Sequence, residues 1–440
     1  MNNIADDESL EKINHNLLKL ICVAATAGVV VGVVGGSFHW LLVHGQEQFA
    51  YLILQWKLHG VWGLPGWLIV APIAGASVGL ARWLIVLAPS AAGSGVQHVE
   101  AVMRHQDTPA PLRVLPIKFF GGLLSIIPGL ALGREGPTVQ MAAVIGSQCG
   151  RIFGLSHQDK FLLYTAVAGA GLAVAFNAPI AGVAFVVEEV ARKVTTRQLL
   201  TTIVAVATSV SVFRGLFGNA VAFEISSFEL SSNGSTLLIF ALFGIVAGVA
   251  GVLYNKSILL ALELFTNVAR TVSPFTKAAG IGAVIGLVGY WQPFWVGGGE
   301  SQIHFLMTHG QSFNALILLL LVRWILGPLS YSPGLPGGLF APLLLIGATL
   351  GGLWALAMNS LPVLAGWIDV NAFVLVGMAA FFTAVVRAPF TGVILLIEMS
   401  ANVSLTPALM IACATSAVTA SLMRADPIYD SLRARMPKIK

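Results

Sequence analysis

Residues 178–188 read APIAGVAFVVE, and residues 388–398 read APFTGVILLIE. The Ala-Pro pair, the Gly-Val pair and the closing glutamate recur at a constant offset of 210 residues. Upstream of each copy lies a stretch rich in small residues, AVAGAGLAVAFN at 166–177 and GMAAFFTAVVR at 377–387. Ahead of those stand GREGP (133–137) and GGLFAP (337–342), whose prolines lie 205 residues apart. Each half therefore contains a Gly-rich break with a proline, a helix, and an Ala-Pro helix that ends in Glu188 or Glu398. We read a first repeat over 17–225 and a second over 226–430. Duplicated halves interrupted at matching places point to a transporter with its binding site between them.

Composition places those halves in a membrane. The chain has 440 residues, 57% hydrophobic and 10% charged, with mean hydropathy +0.86, whereas soluble domains carry about 25% charged residues. Segments 17–44, 62–88, 199–220, 236–255, 313–330 and 404–423 are long enough to cross a bilayer. Segments 117–132, 137–147, 162–176, 179–190, 339–358, 372–386 and 388–398 are shorter or broken. Such partial helices persist at membrane depth only where protein or a watery cavity covers their ends. Residues 1–16 are polar, lack a signal-peptide pattern and read as a surface helix before the first span. The basic runs RKVTTR (192–197) and SLRARMPKIK (431–440) place both termini in the cytoplasm by the positive-inside rule. The tail leaves no room for a regulatory domain. Sparse charge argues against nucleic acid as a partner. Cys22, Cys149 and Cys413 lie too far apart for a metal site or disulfide framework, and the histidines form no metal-spaced cluster, so neither metal nor cofactor is expected.

The breaks carry the chemistry. The first turn of a helix has unpaired N–H groups and the positive end of the helix dipole, so it attracts anions. Pro137 and Pro342 fit a first turn, where a missing N–H costs little. Two such starts meeting near the midplane would hold an anion without the lysines that would bind it too tightly to release. In GSGVQ (93–97), Ser94 is either a hydroxyl donor to that anion or a solvated turn residue. Glu135 is costly at membrane depth, by about 2.5–3.5 kcal/mol on insertion scales. It is either a removable anion of the protein's own or the partner of Arg134.

GSGVQ, GREGP, GGLFAP and Tyr429 in DPIYD occur in the order found in the chloride channel (CLC) family. KFFGGL (118–123), FNAPIAGVAFVVEE (176–189) and SPGLPGGLFAP (332–342) resemble its bacterial proton/chloride exchangers. The resemblance spans residues 17–435. It implies an all-α integral membrane protein of two inverted-topology repeats of tilted and partial helices. It also implies a homodimer in the bacterial inner membrane with one anion path per subunit. By position, Ser94 and Tyr429 resemble the side-chain ligands of the anion, and Leu339 and Phe340 the residues whose backbone N–H groups bind it. Glu135 matches the external gate and proton acceptor, and Glu189 the internal proton acceptor. Because the repeat aligns Glu188 with Glu398, Glu188 is assigned an architectural duty. Glu100 falls where exchangers often carry a second acid. One departure stands out: the family's serine motif ends in Ile-Pro, and here it ends in Val96-Gln97, which puts that loop's position and the anion preference in question. The expected function is exchange of chloride for protons, with a passive chloride channel as the alternative. A membrane-embedded enzyme with a Ser94 nucleophile is remote, since no His/Asp partner or GxSxG motif accompanies it.

Overall fold

The computed structural model describes residues 2–60, 63–191, 194–219, 223, 234–268, 270–362 and 368–436, with side chains from 16 in the first helix and from 236 in the ninth. The first half runs α1 (Asn2–His59), α2 (Trp67–Leu87), α3 (Val96–Met103), α4 (Val114–Ile126), α5 (Glu135–Ile152), α6 (His157–Phe176), α7 (Pro179–Phe185) and α8 (Thr196–Phe217). The second half repeats the series as α9 (Gly234–Asn267), α10 (Pro274–Trp291), α11 (Glu300–His309), α12 (Phe313–Tyr331), α13 (Phe340–Asn359), α14 (Val370–Val386), α15 (Pro389–Ser400) and α16 (Thr406–Leu422). A last short helix, α17 (Ile428–Ala434), closes the described chain. Among the described residues, eight helices are long and apolar enough to cross a membrane.

Packing follows the duplication. Helix α1 lies on α8 as α9 lies on α16, and α5 lies on α6 as α13 lies on α14. Helices α2 and α10 pack on each other, as do α7 and α15, so each of these elements meets its own counterpart. That is the arrangement a two-fold relation between halves produces.

Detail supports the relation. Both α7 and α15 begin with proline and have no side-chain cap of their own. The cap comes from the other half. The Glu398 carboxylate accepts from the Ile180 and Ala181 N–H groups at 2.9 and 2.7 Å. The Glu188 carboxylate accepts from those of Phe390 and Thr391 at 3.0 and 2.7 Å, and from the Thr391 hydroxyl. A carboxylate at a helix start satisfies orphan donors and complements the dipole. The architectural duty expected of Glu188 is this reciprocal clamp.

A second set of equivalences, at offset 205, frames the centre. Lys118 on α4 donates to Gly93 O at 2.6 Å, and Arg323 on α12 donates to Gly298 O at 3.3 Å. Ser125 Oγ donates to Pro336 O, while the Ala131 N–H donates to Ser330 Oγ, both at 2.9 Å. Helices α3 and α11 each start after a left-handed glycine, Gly95 (φ 94°) and Gly299 (φ 119°), a conformation that glycine adopts without strain.

Several element boundaries differ from the sequence reading. The segment read as 17–44 belongs to the continuous helix α1 that runs on to His59. Segments 162–176 and 339–358, read as short, lie in the 20-residue helices α6 and α13. Helix α10 was not among the expected segments, because glycine dilutes its hydropathy. Its Gly282 and Gly286 instead admit Val78 and Ala74 of α2, the small-residue contact typical of membrane helices. Segment 179–190 is not one α-helix, since Val186–Ala191 winds as a π-helix.

Candidate anion-binding site

Three glycine-containing breaks are tied together by backbone alone. Gly133 and Gly338 form an antiparallel bridge, with the Gly133 N–H donating to Gly338 O at 2.8 Å and the Gly338 N–H to Gly133 O at 2.7 Å. The Gly93 N–H donates to Gly334 O at 2.9 Å, and the Gly337 N–H to Gly93 O at 3.3 Å. This fixes the serine loop beside the starts of α5 and α13. Neither of those helices has a side-chain cap, so their first N–H groups find no acceptor within the helix. Close approach needs glycine at two points. A Cβ at Gly136 would collide with Ser94 Oγ, and one at Gly133 would collide with Glu135 Oε2.

Three fully buried side chains converge here: Ser94, Glu135 and Tyr429. The Ser94 and Tyr429 hydroxyls are neighbours, yet neither oxygen has a hydrogen-bond partner in the protein. The Tyr429 ring stacks on Phe340, the first residue of α13, at 6.1 Å between centroids. Buried hydroxyls are ordinarily bonded, so two orphaned ones beside a helix start describe a pocket built for a small acceptor. The Glu135 carboxyl is turned toward the backbone N–H of Ala341 in the first turn of α13, and neither oxygen completes a bond. It does not pair with Arg134. That guanidinium instead grips Glu300 through Nη1 and Nη2 at 3.1 and 3.0 Å, and its Nε donates to Ala175 O. On the outer side of Glu135 lies a cavity of about 410 Å³ that Arg134, Glu300, Glu47 and Gln46 help to line.

With this geometry in place, comparison with known proteins is decisive. Residues 75–421 match the family model described as "Voltage gated chloride channel". The chain belongs to this family. A Vibrio parahaemolyticus protein named H(+)/Cl(-) exchange transporter ClcA is 36% identical over 428 residues, covering 95% of this chain and 90% of that protein. The crystal structure of a slow cyanobacterial Cl−/H+ antiporter superposes with a TM-score of 0.88 at 29% identity, over 95% of this chain and 97% of that one. A eukaryotic CLC transporter shares the fold at 22% identity, with a TM-score of 0.78 over 95% of this chain and 74% of that one. The protein is accordingly an all-α, multi-pass membrane protein of the chloride channel family's transporter fold.

Where this family member departs from the usual serine motif, the loop is held by side chains. Gln97 Oε1 accepts from the Gly95 N–H at 3.1 Å, and the Tyr331 hydroxyl accepts from the Ser94 N–H at 3.3 Å. Gln97 and Tyr331 also bond to each other. With both N–H groups engaged, its free donor toward the centre is the Ser94 hydroxyl.

The flank on the side of α3 and α17 is acidic. Glu189, 2% exposed, stands in the π-helical turn and shares a side-chain hydrogen bond with the fully buried Glu100 of α3. Glu100 accepts from Arg433 Nη1 at 2.8 Å, Arg433 pairs with Asp430 at 2.7 Å, and Asp430 pairs with Arg104 at 3.0 Å. Glu189 is therefore not a solvated helix end; Arg192 and Lys193, which follow it in the chain, lie outside the described residues.

The structure thus brings Ser94, Leu339, Phe340, Tyr429 and Glu135 to one centre, with Glu189 and Glu100 on the flank toward α3 and α17. Sequence reasoning passed over Arg433, Tyr331, Arg323 and Glu300. Arg433 sits in a tail that reads as topological charge. For Arg323 the usable signal was its offset of 205 from Lys118.

Proposed function

We propose that the protein exchanges chloride for protons. The observation that carries this reading is the pair of buried, unbonded hydroxyls of Ser94 and Tyr429 at the start of α13, beside a buried carboxyl with no partner. The hydroxyls and the backbone N–H groups of Leu339 and Phe340 hold chloride. Glu135, ionised, occupies the α13 start as the protein's own anion. Protonated, it loses its attraction to the dipole and yields its place to chloride. One residue is then both gate and external proton acceptor. Glu189, bonded to Glu100, accepts protons from the inner side. The names of the Vibrio relative and the cyanobacterial neighbour support exchange over passive conduction, as does a buried acid at 189. No enzyme chemistry is assigned, because Ser94 has no base within bonding distance.

On the same reading the chain forms a homodimer in a bacterial inner membrane with both termini in the cytoplasm. Residues 17–225 and 226–430 form the two repeats, and lipid and a second copy cover its apolar exterior. The deciding experiment uses proteoliposomes holding a chloride gradient and no pH gradient. Proton movement against its own gradient, driven by chloride and abolished by collapsing the chloride gradient, is the expected result. Chloride flux with no proton movement would establish the passive channel instead.

A further inference from the structure

In the first half, the loop 93–95 presents Ser94 to the centre. Its counterpart in the second half, Gly297–Gly299, leads into Glu300, the first residue of α11. This outer loop is rigidly made. Arg323, 1% exposed, donates to Trp295 O and Gly298 O. Gln302 Nε2 donates to Phe294 O and Val296 O, and the Gly297 N–H donates to Gly129 O at 2.7 Å. A carboxylate held on such a base is placed with little freedom, and it meets Arg134 through two parallel bonds, the geometry that gives arginine–carboxylate pairs their specificity.

Arg134 precedes Glu135 directly. Left to itself, its guanidinium would favour the ionised carboxylate beside it. Glu300 opposes that influence in two ways: it holds the guanidinium in a bidentate pair facing the cavity, and it sets a negative charge against the positive one.

We propose that Glu300 is a positioning residue for the gate, holding Arg134 away from Glu135 so that Glu135 can take up a proton within the working pH range. This rests on the exchange reading given above. The charged groups acting on Glu135 are Arg134 and Glu300. From α1, Glu47 lines the same cavity, and His39 lines an adjoining one with Arg134 and Glu300. Lys118 of α4 is engaged by Gly93 O. On α3, His98 is engaged by Tyr164 and Asp107, and Glu100 by Arg433. On α6, Asp159 pairs with Arg197, and α13 carries no titratable side chain.

The test is the pH profile of chloride-driven proton transport. With Glu300→Gln, Arg134 keeps its charge and loses its partner, the ionised form of Glu135 gains, and more acid is needed to protonate it. The midpoint of acid activation moves to lower pH by about one unit, the low end of the range for one nearby opposite charge. Glu300→Asp, which keeps the charge, stays close to wild type. In a Glu135→Gln background, Glu300→Gln leaves the pH dependence of chloride flux unchanged, because no titrating gate remains. A midpoint that does not move in Glu300→Gln, or a shift that persists in the Glu135→Gln background, overturns the proposal. Failure of the exchange reading would appear separately, as wild-type protein that moves chloride without protons.

Discussion

Glutamate and glutamine differ only in carboxyl against carboxamide, so Gln at position 135 stands permanently for the neutral state. Glu135→Gln is expected to retain chloride flux, to lose proton coupling by at least about tenfold, and to flatten the pH dependence of chloride flux; ion-selective electrodes on one vesicle preparation read both fluxes. Glu189→Gln should spare chloride flux and likewise abolish proton movement. If Glu188→Gln did so instead, the inner assignment would be wrong. Ser94→Ala removes the one donor its loop offers the centre. A hydrogen bond to an ion contributes about 1.5–3 kcal/mol, so chloride affinity, read by calorimetry on detergent-solubilised protein, should weaken by at least about tenfold. At this scale Ser94, Glu135 and Glu189 were legible because short motifs of glycine and proline surround them. Glu300 was not, because a lone acid after three glycines looks like any helix start. Its meaning depends on Arg134, distant in sequence and joined to it only by the fold. Gln97 was read only as a departure from a motif, and its bond to the Gly95 N–H became visible once the loop was placed.

Helices α7 and α15 show how far duplication can be read. The recurring Ala-Pro and terminal glutamate disclosed two equivalent elements, but their mutual capping appears only once both are placed. Replacing Glu398 by Gln turns two charge-assisted bonds into at most one neutral one. Each such bond contributes about 1.5–3 kcal/mol, so the variant should unfold several degrees lower in detergent while Glu188→Gln does the same at the other end. If the two effects differed widely, the clamp would not be the symmetric device described. Other elements were less legible. The offset-205 equivalence of α4 with α12 rests on single serines and cations, such as Lys118 and Arg323.

At the scale of the molecule, every group assigned to the anion site comes from one chain. In dimers assembled from wild-type and Glu189→Gln chains, proton movement per chloride should therefore fall linearly with the fraction of variant chain; a steeper fall would mean that subunits share one path. The fold class followed from composition and the repeat, whereas the joint between the helix starts at the site did not, because main-chain atoms make the Gly133–Gly338 pair and no side chain encodes it. That joint has a mechanical consequence. Many transporters expose a site alternately by tilting one half against the other about a hinge. Here the two helix starts at the site are pinned by the Gly133–Gly338 pair, whose bonds of 2.7 and 2.8 Å would break under any such tilt. On the proposed reading the joint is a mortise without a pivot, and the part left to move is the Glu135 carboxyl, the size of one acetate.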